Sequence, residues 1–150
     1  MGRWEKEEDD KGYKGRQFVA EINGEIVGWC EIRMSKFGIG VEQLSEFALS
    51  RNTSLSEVPL ITNLCVEEEV RGKGVGKKLV EAAIKAGSGW GKEVYLQVES
   101  TNVKAIDFYR KLHFDVVFDD PACRRVDVGW LGWEEKRTVK TCMRRRVRWF

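Results

Sequence analysis

The chain has 150 residues, of which 42% are hydrophobic and 11% aromatic, so it is long enough to bury the core of one ordinary domain. Its 26 basic and 24 acidic side chains leave a formal net charge of +2, which argues against a nucleic acid or a membrane surface as partner. Four cysteines without CxxC spacing and one histidine indicate reduced thiols and no metal site. Because no apolar stretch reaches membrane-spanning length and the charged start lacks a signal-peptide core, we expect a soluble, intracellular protein.

The first part of the chain predicts a charged lead-in followed by a β-hairpin. Residues 1–16 are polar and contain glycine, so we expect them to be mobile, with one folded domain over residues 17–150. In residues 17–32, apolar and polar side chains alternate about an Asn-Gly pair, which is typical of a hairpin. Residues 35–58 mix Gly, Ser and Glu, and they predict a long surface connection with one short helix at about 41–49.

Strands and helices alternate in the middle of the chain. The mostly apolar run at 59–66 predicts a buried strand, and a glycine-rich loop separates it from an amphipathic helix over 75–86. Another strand is predicted at 92–100. Asn102 then caps a second helix of about ten residues, in which apolar side chains recur at helical spacing.

The C-terminal part predicts two short strands joined by a long loop. Residues 114–118 form the first strand, and residues 137–147, in which basic and smaller side chains alternate, form the last one. Residues 119–136 between them are expected to be a loop that carries Trp130 and Trp133. The complete order is hairpin, strand, helix, strand, helix, strand, strand, which indicates an α/β (α+β) fold.

The beginning of the helix at 75–86 is poor in large side chains and rich in positive charge. Gly72, Gly74 and Gly76 alternate with Lys73 and Val75 there. The first N–H groups of a helix are unpaired and lie at the positive end of its dipole, so this loop predicts an anion-binding site. A P-loop requires one more residue between its glycines and a Ser or Thr after the lysine, and a dinucleotide fingerprint requires GxGxxG, so neither spacing fits.

Two segments of the chain carry a family resemblance. The first is the strand, loop and helix of "LCVEEEVRGKGVGKKLV", with Arg71-x-x-Gly74-x-Gly76 in the loop, and the second is "ESTNVKAIDFYRKLHF". Together, in this order and at this separation, they resemble the GNAT superfamily of acetyl-CoA-dependent N-acetyltransferases, and the resemblance extends from about Gln17 to the C-terminus. It implies a single domain with a mixed, mostly antiparallel central sheet flanked by helices.

The resemblance also implies a coenzyme A site. Backbone N–H groups of the loop bind the pyrophosphate, which Gly74 and Gly76 allow to approach closely, while the backbone at the end of the preceding strand pairs with the pantetheine arm. Tyr109 is the implied catalytic residue, the general acid for the departing thiolate. The residues implied to bind acetyl-CoA are Leu64, Cys65, Val66, Arg71, Gly72, Lys73, Gly74, Val75, Gly76, Lys77, Asn102 and Ala105.

The sequence departs from the family pattern at the end of the second segment and at the position of the general base. His113 stands where the second segment normally has glycine, and we interpret it as a structural residue at a positive φ. Gln97 stands where some relatives carry a glutamate that acts as general base, and an amide cannot serve as one. Glu99 and Glu31 are other candidates, so the base stays unassigned.

Three functions are compatible with these features. The leading one is direct transfer of the acetyl group of acetyl-CoA to a primary amine in a ternary complex, the amine being a peptide N-terminus, a lysine or a small amine. The alternative is a non-catalytic or truncated acyl-CoA-binding module, because residues 1–16 replace the strand and helices that usually help to wall the acceptor pocket. The third is nucleic-acid binding through "RRRVR" at 144–148, which the overall charge balance disfavours. We expect a monomer or a homodimer.

Overall fold

The computed structural model describes residues 5–7, 14–51 and 55–148. Within these ranges the strands and helices alternate as expected for a mixed α/β fold. Their bounds are β1 (Glu5–Glu7), β2 (Gly15–Ile22), β3 (Glu25–Lys36), α1 (Glu46–Arg51), β4 (Glu57–Val66), α2 (Val75–Gly87), β5 (Glu93–Glu99), α3 (Val103–Lys111), β6 (Asp115–Gly129) and β7 (Gly132–Arg146).

The chain divides into two compact units. Unit 1 comprises Met1–Ser35, Val58–Leu96 and Arg145–Phe150, and unit 2 comprises Lys36–Glu57 and Gln97–Arg144. In unit 1 the strands follow the order β1-β2-β3-β4-β5, and in unit 2 the last residues of β5 are followed by β7 and then β6. Strands β1, β2 and β3 pair antiparallel, as do β6 and β7, whereas β4 and β5 pair parallel. The predicted mixed, mostly antiparallel sheet with flanking helices is therefore confirmed.

The β2–β3 hairpin of unit 1 is confirmed, but the folded region begins before Gln17. Its turn consists of Asn23 and Gly24, which have φ angles of 51° and 83°, as a tight hairpin turn requires. Strand β2 begins at Gly15, and the carbonyl of Lys14 accepts a hydrogen bond of 2.8 Å from the Met34 amide. The sequence analysis did not predict this start, because backbone hydrogen bonds between strands do not require apolar side chains and so leave no hydrophobic pattern.

Part of the lead-in predicted at 1–16 is a strand. Residues Glu5–Glu7 form β1, whose Glu5 is in register with Phe18 of β2. The remaining positions of the predicted mobile lead-in, 1–4 and 8–13, lie outside the described residues.

Helix α2 covers one face of the unit 1 sheet. Its apolar side points inward and includes Leu79 and Val80, both of which are buried. A Cβ atom on Gly28 of β3 would lie 3.0 Å from Leu79 Cδ1 and 3.3 Å from Val75 Cγ1, so glycine allows the beginning of α2 to pack closely on β3. The predicted amphipathic helix over 75–86 is thus confirmed, one residue longer than expected.

The prediction of a loop at 119–136 was wrong, because these residues form most of a long hairpin in unit 2. Strands β6 and β7 pair from Asp115↔Arg144 to Gly129↔Gly132, with register shifts between Val116 and Phe118 and between Asp120 and Cys123. The charged side chains that indicated a loop instead form cross-strand ion pairs, such as Arg124–Glu135 at 3.1 Å and Lys136–Asp127 at 3.3 Å.

The connection between β3 and β4 is attached to this hairpin by buried and half-buried polar groups. The Asp120 carboxylate, 1% exposed, accepts hydrogen bonds of 2.9 Å from the amides of Gly40 and Ala122. Glu42 accepts a bond of 2.7 Å from Lys140 Nζ and one of 3.0 Å from the Arg124 amide. Both carboxylates lie in unit 2, so they fix the connection on the edge of its sheet.

The short helix predicted at 41–49 is divided into two pieces. A 3-10 turn occupies Val41–Gln43 and α1 begins at Glu46, because Leu44 between them is extended with a ψ of 136°. Ser45 caps α1, since its hydroxyl accepts a hydrogen bond of 3.2 Å from the Ala48 amide.

Candidate functional site

The end of β4 is irregular at the position where the sequence predicts a binding strand. The parallel register with β5 joins Leu60 to Tyr95 and Ile61 to Leu96, and β4 continues beyond it to Val66. Asn63 has a φ of 55°, which is uncommon for a residue with a side chain and bends the strand locally. The backbone from Leu64 to Val66 therefore leaves the regular strand path.

The three residues after this irregularity differ in exposure. Leu64 and Val66 are half-buried, whereas Cys65 between them is exposed. The Glu67 amide donates a hydrogen bond of 2.8 Å to the Val27 carbonyl, which fixes the strand end on β3. The predicted ligand residues Leu64, Cys65 and Val66 thus lie at the end of β4 in unit 1, where the following residue is hydrogen-bonded to β3.

Two glycines of the glycine-rich loop have backbone angles that residues with a side chain rarely adopt. Gly72 has a φ of 76° and Gly74 a φ of 84°, a region in which an L side chain costs about 1–2 kcal/mol. No heavy atom lies within 4 Å of a Cβ placed on either residue, so neither glycine is required by crowding from the protein itself. The loop therefore presents open backbone in front of α2.

The beginning of α2 has the electrostatics of an anion site. Gly74 is its N-cap and supplies no side-chain cap, and the first turn contains no acidic residue. The exposed side chains of Lys73 and Lys77 add positive charge to that of the helix dipole. Backbone N–H groups at this end are thus available to an anionic ligand.

Two of the predicted loop residues have structural contacts. Arg71 Nε donates a hydrogen bond of 2.9 Å to the Val66 carbonyl, so this side chain ties the loop to the end of β4. Val75 is 7% exposed and packs in the core of unit 1, so only its backbone faces the loop. Gly76 is half-buried in the first turn of α2.

Gly28 contributes to this region, and the sequence analysis did not select it. A Cβ at this position would lie 3.2 Å from the Cys65 carbonyl oxygen and close to two side chains of α2. Any larger residue would therefore push β4 or α2 away. The available signal was a glycine in the middle of an otherwise strand-like run, which often marks a close backbone approach.

The predicted residues of the second segment lie on α3 in unit 2. Asn102 caps this helix, because its Oδ1 accepts a hydrogen bond of 3.2 Å from the Ala105 amide, as the sequence predicts. Tyr109 is 8% exposed, and its ring makes edge contacts with Phe108 at 5.1 Å and Phe114 at 5.8 Å between centroids. The structure thus brings these residues onto one helix, with Tyr109 on its buried side.

The positive φ expected at His113 is confirmed. Its φ is 65°, and its amide donates a hydrogen bond of 2.9 Å to the Arg110 carbonyl where α3 ends. A glycine would adopt this conformation without strain, and histidine adopts it at a modest cost.

The candidate proton acceptors occupy different environments. Gln97 is half-buried, and its amide lies 3.7 Å from Cys142 Sγ. Glu99 forms an ion pair with Arg125 at 3.5 Å. Glu31 is only 7% exposed, and its Oε2 accepts a hydrogen bond of 3.1 Å from Asn63 Nδ2. Of the two carboxylates, Glu31 is therefore the buried one, and it contacts the irregular residue of β4.

The tip of the β6–β7 hairpin exposes large apolar side chains. Trp130, Leu131 and Trp133 are 93%, 83% and 73% exposed, and they line an open hollow of about 350 Å³. Glu134 also lines it and lies 3.8 Å from Lys136 Nζ. Aromatic and acidic side chains thus occur together at this tip.

The four cysteines differ strongly in accessibility. Burial raises the pKa of Cys30 and of Cys123 to about 12 and that of Cys142 to about 11. Cys65 is exposed at the end of β4. Because the thiolate is the reactive form, a raised pKa keeps the three buried thiols protonated and inert at neutral pH.

We therefore expect a disulfide reagent such as DTNB to modify one thiol per native chain at about pH 8, and all four after unfolding. Cys65→Ser should reduce the native count to zero. Rapid reaction of a second thiol in the native chain would contradict the burial of Cys30, Cys123 and Cys142.

Neither a metal centre nor a transmembrane helix is found in the part of the chain that the structure describes. In residues 5–7, 14–51 and 55–148, no three His, Cys, Asp or Glu side chains are grouped so that they could hold a metal ion. The helices of the same ranges are all too short or too polar to cross a bilayer.

Comparison with known proteins identifies relatives. The sequence matches the Acetyltransferase (GNAT) family over residues 2–114. The N-alpha-acetyltransferase of Sulfurisphaera tokodaii is 33% identical over 109 residues, which are 71% of this chain and 60% of that protein. The chain thus spans about 60% of the length of this curated relative.

Solved structures of low sequence identity have the same fold. A GNAT family acetyltransferase from Elizabethkingia anophelis with acetyl-CoA bound has a TM-score of 0.62 at 16% identity, over 89% of this chain and 76% of that one. Naa20 from Chaetomium thermophilum in complex with a bisubstrate analogue has a TM-score of 0.61 at 22% identity, over 87% of this chain and 65% of that one. The family match covers most of the chain, and the chain therefore belongs to the Acetyltransferase (GNAT) family.

Proposed function

We propose that the chain binds acetyl-CoA and transfers its acetyl group directly to a primary amine. The observation that carries this proposal is the beginning of α2, where Gly74 is an N-cap with a φ of 84° and without a side-chain cap. The first turn of α2 contains no acid, so a pyrophosphate bound there would meet backbone N–H groups and the positive end of the helix dipole. Membership in the GNAT family supports the same ligand.

In this proposal, the residues predicted from the sequence have separate roles. The amides from Gly72 to Gly76 and the charge of Lys77 bind the pyrophosphate. The Arg71 amide, which the sequence analysis included, already donates a hydrogen bond of 3.2 Å to the Glu68 carbonyl. The backbone from Leu64 to Val66 pairs with the pantetheine arm in the manner of an added strand. Asn102 and Ala105 contact the same arm from α3.

The chemical step requires one proton donor from the protein. The amine nitrogen attacks the carbonyl carbon of the thioester, and the bond from that carbon to sulfur breaks. Tyr109 donates a proton to the departing thiolate. An acyl-enzyme is disfavoured because no Cys-His pair is apparent in the sequence, and because the thiols of Cys30, Cys123 and Cys142 are buried and have raised pKa values, which leaves Cys65 as the exposed thiol.

The favoured acceptor is the α-amino group of a peptide. The curated relative from Sulfurisphaera tokodaii is named an N-alpha-acetyltransferase, and it is 33% identical over the matched region. Acidic and aromatic side chains at the hairpin tip, including Trp130 and Glu134, are suited to hold a cationic N-terminus. Lysine side chains and small amines are the competing acceptors.

Titration calorimetry with acetyl-CoA, followed by a transfer assay on peptides, lysine and small amines, tests this proposal. Coenzyme A should be quantified by chromatography, because Cys65 would itself react with thiol reagents. We expect binding, transfer to α-amino peptides, and protection of Cys65 from DTNB by acetyl-CoA. Binding without transfer would favour the non-catalytic module, and absence of binding would contradict the proposal.

A further inference from the structure

The part of the β6–β7 hairpin nearest its turn extends beyond the neighbouring strand β5. That strand ends at Glu99, and the amide of the next residue, Ser100, donates a hydrogen bond of 2.9 Å to the Val139 carbonyl. Strand β6, on the other side, is the edge of the sheet. We call residues 124–137 the distal hairpin. Hairpins of only two strands are marginally stable unless something packs on them.

The two faces of the distal hairpin differ in chemistry. Directly opposite residues of two paired strands share a face, and successive residues of one strand alternate between faces. The register pairs Val128 with Trp133, and Val126 lies two residues before Val128, so these three share one face, which we call the apolar face. The opposite face carries charged side chains that pair with one another: Arg125, Asp127, Glu134 and Lys136.

The apolar face is open to solvent. Val128 is 83% exposed, and Val126, Trp133 and the adjoining turn residues Trp130 and Leu131 are each more than half exposed. A tryptophan can bury about 150–250 Å², so the two tryptophans alone offer roughly 250–400 Å². The three aliphatic side chains extend the patch toward the roughly 600 Å² per partner of the smaller specific interfaces. An exposed apolar patch of this size usually marks an interaction site.

The charges around the apolar face favour a second copy of this chain as the partner. Arg124 and Glu135 lie on this same face, and their ion pair of 3.1 Å is a little less than half exposed on both sides. Both signs of charge thus border the patch. A partner attracted by charge requires a field of one sign, whereas a face with both signs can complement a rotated copy of itself.

We propose that two copies of this chain form a dimer through the apolar faces of their distal hairpins. A two-fold axis parallel to the strands sets β6 of one copy over β7 of the other. Trp133 of each copy then packs on Val128 of the partner subunit. Arg124 of each copy comes within reach of Glu135 of the partner subunit. The opposite face, with Glu134, stays open, so the dimer is compatible with the proposed function and does not depend on it.

Sedimentation equilibrium of the wild-type chain tests the dimer. For an interface of this size we expect a dimer Kd of about 1–100 µM. Val128→Glu places a carboxylate in the apolar face and should leave the chain monomeric over the whole range. Val103→Glu makes the same change at an exposed valine of α3 and should leave the dimer Kd unchanged. A monomeric wild type, or a dimer that persists in Val128→Glu, would overturn the inference.

A charge exchange separates contact between copies from contact within one chain. Arg124→Glu and Glu135→Arg each place like charges across the interface, so each variant alone should be monomeric. In an equimolar mixture the two variants carry opposite charges at these positions, and native mass spectrometry should detect their heterodimer. The ion pair within each chain stays broken in the mixture, so an effect on folding alone cannot produce this recovery. Absence of the heterodimer would contradict the proposed packing.

The acceptor peptide is the competing occupant of the apolar face. An α-amino peptide that protects the tryptophan emission from iodide, while the wild-type chain stays monomeric, would assign the face to the substrate and overturn this inference. The Kd of acetyl-CoA, measured by calorimetry, should be the same for Val128→Glu and the wild type. The dimer and the proposed function can therefore fail independently of each other.

Discussion

Replacing Gly74 with glutamate should abolish measurable acetyl-CoA binding. The new carboxylate would sit at the N-cap of α2, where it can accept hydrogen bonds from the amides proposed to bind the pyrophosphate, and it would repel that group. We expect the Kd from titration calorimetry to rise at least about 100-fold, through combined charge repulsion and loss of backbone contacts. Retention of wild-type affinity would remove the loop from the binding site.

Gly24→Glu is the matched control for this variant. Gly24 has a φ of 83°, close to that of Gly74, and no heavy atom lies within 4 Å of a Cβ placed on it. The substitution thus adds the same charge and a similar backbone strain at the tip of the β2–β3 hairpin. Its melting temperature should fall as in Gly74→Glu, while its acetyl-CoA affinity should remain that of the wild type.

Replacing Tyr109 with phenylalanine should lower kcat about 100-fold and leave the Kd of acetyl-CoA nearly unchanged. The ring would keep its edge contacts with Phe108 and Phe114, so only the hydroxyl proposed as the acid is lost. Single-turnover transfer to an α-amino peptide measures the effect on the chemical step. An unchanged rate would exclude Tyr109 as the acid.

The control for Tyr109 is the tyrosine of β5. The hydroxyl of Tyr95 donates a hydrogen bond of 2.7 Å to Glu93 Oε2, so it already has a structural use. Tyr95→Phe removes the hydroxyl oxygen from a half-buried tyrosine ring and should leave kcat within about twofold of the wild type. A large loss in both variants would indicate a general effect of hydroxyl removal on folding, which thermal melting would detect.

Local chemistry made much of the fold predictable. Asn23 and Gly24 form the predicted turn, Asn102 caps α3, and His113 takes the positive φ expected where that helix ends. Each of these depends on the residue itself and a few neighbours. The glycine loop was predictable for the same reason, since Gly72 and Gly74 are required by their own backbone angles.

Features that depend on distant partners were not predictable. Residues 119–136 resembled a loop because their charges are satisfied only across the hairpin, as in the pair of Arg124 and Glu135. The positive φ of Asn63 arises in the middle of a strand-like run, and no turn signal marks it. The burial of Glu31 likewise depends on what surrounds its strand, so alternation alone could not distinguish it from an edge acid.

The exposed tip of the β6–β7 hairpin gives the chain an optical probe of its own. Among the tryptophans of the described residues, Trp130 and Trp133 are far more exposed than Trp29, which is 40% exposed, so of these they should contribute most to the long-wavelength part of the emission and be quenched most readily by iodide. A molecule that settles on the tip would shift this emission to shorter wavelengths and protect it from iodide. Contact at the hairpin can therefore be followed without a label.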